Sequence, residues 1–284
     1  MLPLPPGLLR CPVCARMLDH AERTLSCAGG HRFDAARQGY FNLLTGKGSP
    51  FDGDTPAMVD ARESFLGSGH YDRLREAIVS AVTVAVAGRT PQPGVVLDAG
   101  AGTGYYLRAL ATALPAAFPV ALDVSKFALR RAARRMPRGI SLVWDIWQAL
   151  PIADGSVDVL LNVFAPRNPV EFTRVLSKRG LLVVVTPRPG HLGGLEGIGP
   201  LLSVPAQKAD DVIAAFGALT EISREHVDYE MELSPDLARS ALDMGPAARH
   251  PSVQGDDRPP AGSTSIRVQA RFTVQVLVRR EGSE

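Results

Sequence analysis

Residues 95–104 read Val-Val-Leu-Asp-Ala-Gly-Ala-Gly-Thr-Gly, and this stretch decides the fold. Val95-Val96-Leu97 is an apolar run of strand type, and Tyr105 to Leu114 has helical spacing. Between them lies an acidic turn formed by Asp98 and the glycines Gly100, Gly102 and Gly104. Glycines let the backbone turn sharply and approach a ligand closely. The spacing is G-x-G-x-G, not the G-x-G-x-x-G of a dinucleotide site, which argues against a pyrophosphate cradle. A carboxylate just before the loop suits a cationic group, such as a sulfonium or an amino acid ammonium, better than phosphate. Asp123 ends the next strand, 19 residues past Gly104. That is the place from which a carboxylate grips ribose hydroxyls. Glycines serving only to make a turn would leave the paired acids unexplained.

Working outward, strands and helices alternate. Val120–Leu122 is a second strand, Lys126–Met136 a basic helix, Ser141–Val143 a third strand and Val157–Val163 a fourth. A helix over Pro169–Leu176 leads to an apolar fifth strand, Leu181–Val185. Apolar runs without a period of two imply a parallel sheet buried on both faces. Beyond it, a helix over Ala206–Phe216 precedes alternating segments at Glu221–Glu232 and Ser265–Leu277, expected to form an antiparallel edge. The Pro/Gly/His-rich stretch Gly245–Gly262 between them is long enough to expect a functional loop. Upstream, Ala57–Ala87 has helical spacing broken at Gly67-Ser68-Gly69, and Thr45–Pro56 reads as a linker. Strand, acidic glycine loop, helix, strand and terminal Asp together resemble an α/β class I Rossmann-like methyltransferase that uses S-adenosylmethionine. The likeness implies cofactor contacts at Asp98, Gly100, Gly102, Gly104 and Asp123. Asp145 follows the third strand, where class I enzymes often hold the adenine amino group; the plain alternative is a solvated loop carboxylate.

All three cysteines lie in Cys11-x2-Cys14-x12-Cys27-x3-His31. Two close pairs at this separation close a tetrahedron around Zn2+. The alternative is three thiols that are simply buried or disulfide-linked. A closed Cys3His site is structural and places the chemistry elsewhere. Thr24–Ser26 and His31–Asp34 read as strands of a ribbon. The expected organisation is a zinc ribbon over 8–45, a linker and helices over 46–93, and the methyltransferase domain over 94–284 with a C-terminal antiparallel edge.

Composition sets the class. The 284 residues are 45% hydrophobic and 21% charged, with a formal charge of +2. These are values of an ordinary globular chain, so any basic surface must be local. The start, MLPLPPGLLR, has neither the basic nor the apolar region of a signal peptide. No run reaches the roughly 18 apolar residues of a membrane span. An odd number of cysteines grouped as a metal site fits a reducing cytoplasm.

The acceptor atom can be narrowed. No cysteine remains for the nucleophile that carbon-5 pyrimidine methylation needs. The segment after strand four reads Asn162-Val163-Phe164-Ala165-Pro166, which departs from the Asn/Asp-Pro-Pro-aromatic motif of exocyclic-amine methylases. A ring nitrogen or an oxygen stays open. Four stretches then resemble the 23S ribosomal RNA guanine-N1 methyltransferases, and more closely their macrolide (tylosin)-resistance branch. They are the Cys3His ribbon, Phe33–Leu44 (FDAARQGYFNLL), Gly69-His70-Tyr71, and Asn162–Asn168 (NVFAPRN).

The resemblance implies methyl transfer to N1 of a guanine in a domain II hairpin loop of 23S rRNA, near the macrolide site. It implies zinc on Cys11, Cys14, Cys27 and His31, and cofactor contacts at Tyr71, Gly102-Thr103 and His191. Tyr71 also reads as a packing aromatic, and His191 as a cap or surface residue. Phe164 or Tyr105 is positioned to sandwich a base or to fill the core. Arg130, Arg131, Arg134, Arg135 and Arg138 read as a phosphate stripe, extended by Arg32, Arg37 and Lys47, or as a solvated face. A small-molecule methyltransferase and a non-catalytic RNA-binding protein are the rival readings. A homodimer is compatible with any of them, and the sequence assigns no catalytic base.

Overall fold

Three short strands, β1 (Leu18–Ala21), β2 (Thr24–Cys27) and β3 (Arg32–Asp34), form an antiparallel ribbon around the cysteine motif. The next strand, β4 (Tyr40–Asn42), leaves that ribbon. The chain continues through α1 (Pro56–Gly67), α2 (Asp72–Val86), β5 (Val95–Ala99), α3 (Tyr105–Ala113), β6 (Phe118–Asp123), α4 (Lys126–Arg135) and β7 (Ile140–Val143). Then follow β8 (Val157–Val163), α5 (Pro169–Val175), β9 (Leu176–Pro187), α6 (Lys208–Ala215), β10 (Leu219–Leu233), α7 (Pro235–Asp243) and β11 (Ile266–Arg279). This computed structural model describes residues 3–46, 48–51, 53–199, 201–245 and 265–280. Lys47 and, after Gly245, the loop to Gly262 lie outside the described residues.

The large sheet has the order β10-β11-β9-β8-β5-β6-β7-β4. From β9 to β4 it is parallel; β11 and β10 close the other edge antiparallel. Strand β5 lies between β6 and β8, so the chain winds outward from it in both directions. A crevice opens at the carboxyl ends of the strands at such a switch point.

Both faces are buried, which is why the apolar runs lack a period of two. Val96, Ala121, Leu161 and Val183 face one core with Leu74 and Ile78 of α2 and Leu107 and Leu110 of α3. Leu97, Leu122, Leu160 and Leu182 face the other with Phe172 of α5, Phe216, and the ribbon's Leu8, Leu9, Leu18 and Leu25. The ribbon therefore covers one face of the sheet. Backbone bonds fasten it there: Ala153 N–H donates to the Leu8 carbonyl (2.8 Å) and Arg10 N–H to the Pro151 carbonyl (3.0 Å).

Strand β4 is the edge strand of the large sheet, with Tyr40 paired to Ser141, Phe41 to Leu142 and Asn42 to Val143. The sequence pattern gave no expectation of this strand, nor of β1 or α7. The break between α1 and α2 falls where Gly67-Ser68-Gly69 places it, and Gly69 takes φ +83°. Thr55 caps α1 by accepting from the Met58 N–H (3.3 Å), with Pro56 at the first turn. No helix among the described residues is long and apolar enough to cross a membrane.

Candidate active site

The four ribbon donors converge. Cys27 Sγ and His31 Nδ1 are 3.4 Å apart, Cys11 Sγ and His31 Nδ1 3.6 Å, and Cys14 Sγ and Cys27 Sγ 3.7 Å. Tetrahedral zinc with Zn–S of about 2.3 Å and Zn–N of about 2.0–2.1 Å sets S···S near ~3.8 Å and S···N near ~3.6 Å. A Cβ at Gly29 would stand 3.2 Å from Cys14 Sγ and 3.5 Å from both Cys27 Sγ and His31 Nδ1. The turn thus leaves room for the ligands and for no side chain. The donor set fits zinc with all four positions taken by protein, so the metal's part is structural. Cys11 and Cys27 are buried in the same core as Leu97 and Leu122.

The cleft lies over the carboxyl ends of β5, β6 and β8. It has two contiguous chambers that share Arg62, Gly100, Gly102, Val163, Phe164 and Met244. The inner chamber is lined by Tyr71, Asp98, Thr103, Tyr105 and Tyr106. The outer, of about 410 Å3, is lined by Asp54, Asp123, Asp145, Trp144 and Trp147. Of the residues expected from sequence, Tyr71, Asp98, Gly100, Gly102, Thr103, Asp123 and Asp145 all line this cleft. Gly104 and His191 are not among its lining residues. Gly104, at φ +77°, packs on α4, where a Cβ would meet Met136 Cε at 2.8 Å.

Each acid has its own setting. Asp98 is buried and its Oδ1 has no partner. Burial, then the nearby Asp123, push its carboxyl well above the usual range. Asp123 is also raised by burial, against the backbone N–H groups it accepts: Ser125 (2.8 Å) and Gly102 (2.8 Å). It thereby ties the glycine loop to the end of β6. Asp145 accepts from the Ser49 hydroxyl (3.0 Å) and the Trp147 N–H (3.0 Å).

Behind Tyr71, His191 Nδ1 accepts from the Arg271 N–H (3.3 Å). A neutral ring then carries its proton on Nε2, which donates to the Tyr71 hydroxyl oxygen (3.2 Å). Burial pulls His191 down to about 4, so the ring is neutral at pH 7.

Asn162 donates to the carbonyls of Ala99 (2.8 Å) and Pro166 (2.9 Å), joining the loop after β8 to the glycine loop. The two loops are so close that a Cβ at Gly100 would stand 2.3 Å from Ala165 Cβ. Phe164 turns through φ +53° at this junction. That is an outlier for a bulky residue, of the kind that clusters at active sites and ligand clamps. Of the described phenylalanines, tyrosines and tryptophans, the exposed ones are Phe51 (52%), Trp147 (51%) and Phe164 (40%). All three line the outer chamber.

Two family models match the chain: a zinc ribbon described as "RlmA, N-terminal" over residues 9–47, and "Methyltransferase domain" over residues 96–180. A putative 23S rRNA (guanine-N1)-methyltransferase from Micromonospora griseorubida is 45% identical, across 85% of this chain and 87% of that one. A 23S rRNA (guanine(748)-N1)-methyltransferase from Streptomyces fradiae is 42% identical, across 85% and 86%. The chain belongs to the 23S rRNA (guanine-N1)-methyltransferase family. A putative member from Bacillus subtilis is 34% identical across 66% of each chain.

As a member of that family it is an S-adenosylmethionine-dependent methyltransferase with a zinc ribbon. The cleft fits the cofactor: an unpartnered buried carboxylate for a cation, two further acids, and a loop whose Gly100 has no room for a Cβ. Arg62 of α1 and the segments 48–51 and 53–55, which bring Ser49, Phe51 and Asp54 to the outer chamber, were not legible in the sequence. The sharpest local signal was Gly53, where a Cβ would stand 2.7 Å from the Ser125 Cα.

The arginine stripe is largely spoken for. Arg131 pairs with Asp60 (2.7 Å) and Arg135 with Glu63 (2.6 Å), both on α1, and Arg138, past the end of α4, donates to the Pro115 carbonyl (2.9 Å). These contacts tie Arg131 and Arg135 to α1 and Arg138 to the turn that follows α3.

Proposed function

We propose that the chain acts in the cytoplasm to methylate N1 of a guanine in a domain II hairpin loop of 23S rRNA, protecting the ribosome from tylosin-type macrolides. The observation that carries this reading is the trio of exposed aromatics around one cleft. Sequence-specific RNA enzymes read splayed loop bases by stacking them on aromatic rings. Phe164 lines both chambers and is the ring for the target guanine. Phe51 and Trp147, their centroids 6.4 Å apart, stand at the outer chamber for a neighbouring base.

When bound, S-adenosylmethionine supplies a methyl group on a positively charged sulfur. The chain's part is orientation and exclusion of water. Asp98 holds the ammonium, Asp123 the ribose hydroxyls and Asp145 the adenine amino group. Gly100, Gly102 and Thr103 bring the backbone against the ligand. The bond from His191 leaves the Tyr71 O–H free to donate into the inner chamber.

Reverse-transcriptase stop mapping of 23S rRNA tests the reading, because a methyl on N1 blocks the pairing edge of guanine. The expected result is one enzyme-dependent stop at a domain II loop guanine, the position named for the Streptomyces fradiae relative being the first to inspect. No stop in domain II with enzyme that binds cofactor would overturn it.

A further inference from the structure

We propose that Arg62 is the anchor for the carboxylate at the methionine end of S-adenosylmethionine. Three observations converge on it. Among the described residues lining the two chambers, Arg62 is the single cationic side chain, set against Asp54, Asp98, Asp123 and Asp145. The cofactor brings cations that the acids satisfy, and one carboxylate that they repel. That anionic group needs a cation, and the cleft supplies one.

The second observation is position. Arg62 reaches from the middle of α1 across the glycine loop. Its Cδ lies 3.7 Å, and its Nε 4.0 Å, from where a Cβ of Gly102 would be. It stands beside the chamber lined by Asp98, so the two ends of an amino acid moiety meet opposite charges. Its charge also favours ionisation of Tyr71, Tyr106 and Asp123 against the burial that opposes it.

The third is the state of its donors. Nη2 is held by Asp54 Oδ2 (2.7 Å) and the Met244 carbonyl (2.8 Å), while Nε is buried without a partner. A buried charged donor left unbonded is costly, and a ligand carboxylate removes that cost. The clamp from Asp54 and Met244 fixes the guanidinium in advance, which lowers the entropy lost on binding. Asp54 is itself fixed, since its carbonyl accepts from the Ser125 hydroxyl (2.8 Å), just past the end of β6.

The anchor concerns the cofactor alone, so failure of the RNA reading would leave it standing. The test is calorimetric binding of S-adenosylmethionine and of decarboxylated S-adenosylmethionine, which differ only by the carboxylate. Wild type should prefer the carboxylated ligand by about 10- to 100-fold, the range of a charge-assisted contact. Arg62→Met should lose that preference by weakening S-adenosylmethionine alone, and Arg62→Lys should keep part of it. Equal weakening of both ligands by Arg62→Met would reduce Arg62 to a clamp on Asp54 and Met244 and overturn the proposal. Should Arg62→Met not fold, the wild type decides: equal affinity for the two ligands overturns the anchor, and a preference kept in part by Arg62→Lys sustains it.

Discussion

Tyr40 and Ser141 face each other across a parallel strand pair, so the segment that leaves the zinc ribbon ends as the outer strand of the catalytic sheet. The ribbon also contributes Leu8, Leu9, Leu18, Leu25 and Leu43 to the core that holds Leu97 and Leu122. A chain lacking residues 1–45 should therefore lack a cooperative melt and bind no cofactor. Cys14→Ser should lose its zinc and also lower the Tm, because two other ligands lie in that shared core. Metal analysis with calorimetric melting checks both. A truncated chain that melts cooperatively and binds cofactor normally would show the ribbon to be independent.

Asp98→Asn should weaken cofactor binding and stabilise the free protein. The carboxylate is buried with an unpartnered oxygen and held against ionisation. Its charge is useful only when a cation arrives. Loss of that contact should cost about 1–3 kcal/mol of binding, while the amide removes from the free fold a carboxyl whose ionisation burial opposes. Calorimetry and thermal melting on the same variant should move in opposite directions. Unchanged affinity would take Asp98 out of the site.

Replacing both Arg131 and Arg135 by Gln should cost stability and leave RNA binding nearly as it was. Each is half-exposed and paired with α1, so the loss should be about 0.2–1 kcal/mol per pair. The slope of RNA affinity against salt should stay within one unit of wild type. A drop of two units would return these side chains to the phosphate-binding role.

These cases show what was legible. The meeting of Asp98, the glycine loop and Asp123 at one cleft was, because their order along one strand–loop–helix–strand unit brings them there. The ligands of the zinc knuckle were legible for the same reason. Arg62 was not: it sits on a helix whose other signals are packing, and its meaning comes from a loop 40 residues on, at Gly102. The pairing of Arg131 was not legible either, because its partner Asp60 is 71 residues away. Strand β4 has three residues, too few for a period to register, and only its neighbour β7 makes it a strand. The φ of Phe164 leaves no mark in the residue type that adopts it.

His191 should make the protein acid-sensitive above the range where carboxylates titrate. Its folded value, about 4, lies below the ordinary 6.5, so the unfolded chain binds the proton more tightly. Stability must then fall as pH drops from 6.5 towards 4, and be fully present above that window. The loss between pH 7 and pH 5 should be roughly 2 kcal/mol from this group. Urea denaturation of wild type and His191→Gln at both pH values checks it. The variant should be less stable at pH 7, lacking the bonds to Tyr71 and Arg271, yet lose about 2 kcal/mol less on acidification. Equal acid losses in both proteins would mean that His191 titrates normally.

Phe164 should separate RNA chemistry from cofactor binding. The residue is 40% exposed, its ring lies 18° from the plane of His191, and its backbone takes a conformation that favours glycine. Phe164→Ala keeps the Asn162 bonds that fix the loop, since those run to Ala99 and Pro166. It removes the stacking surface, about 1–3 kcal/mol per base. The kcat/KM for a domain II hairpin should fall about 10- to 100-fold by that measure, with cofactor affinity changed far less. Phe164→Tyr should keep most of the rate, since the ring remains. Steady-state kinetics on the hairpin, with calorimetry for the cofactor, distinguish the outcomes. A variant that loses cofactor affinity and RNA turnover in equal measure would make Phe164 part of the cofactor wall, and the stacked guanine would need another ring.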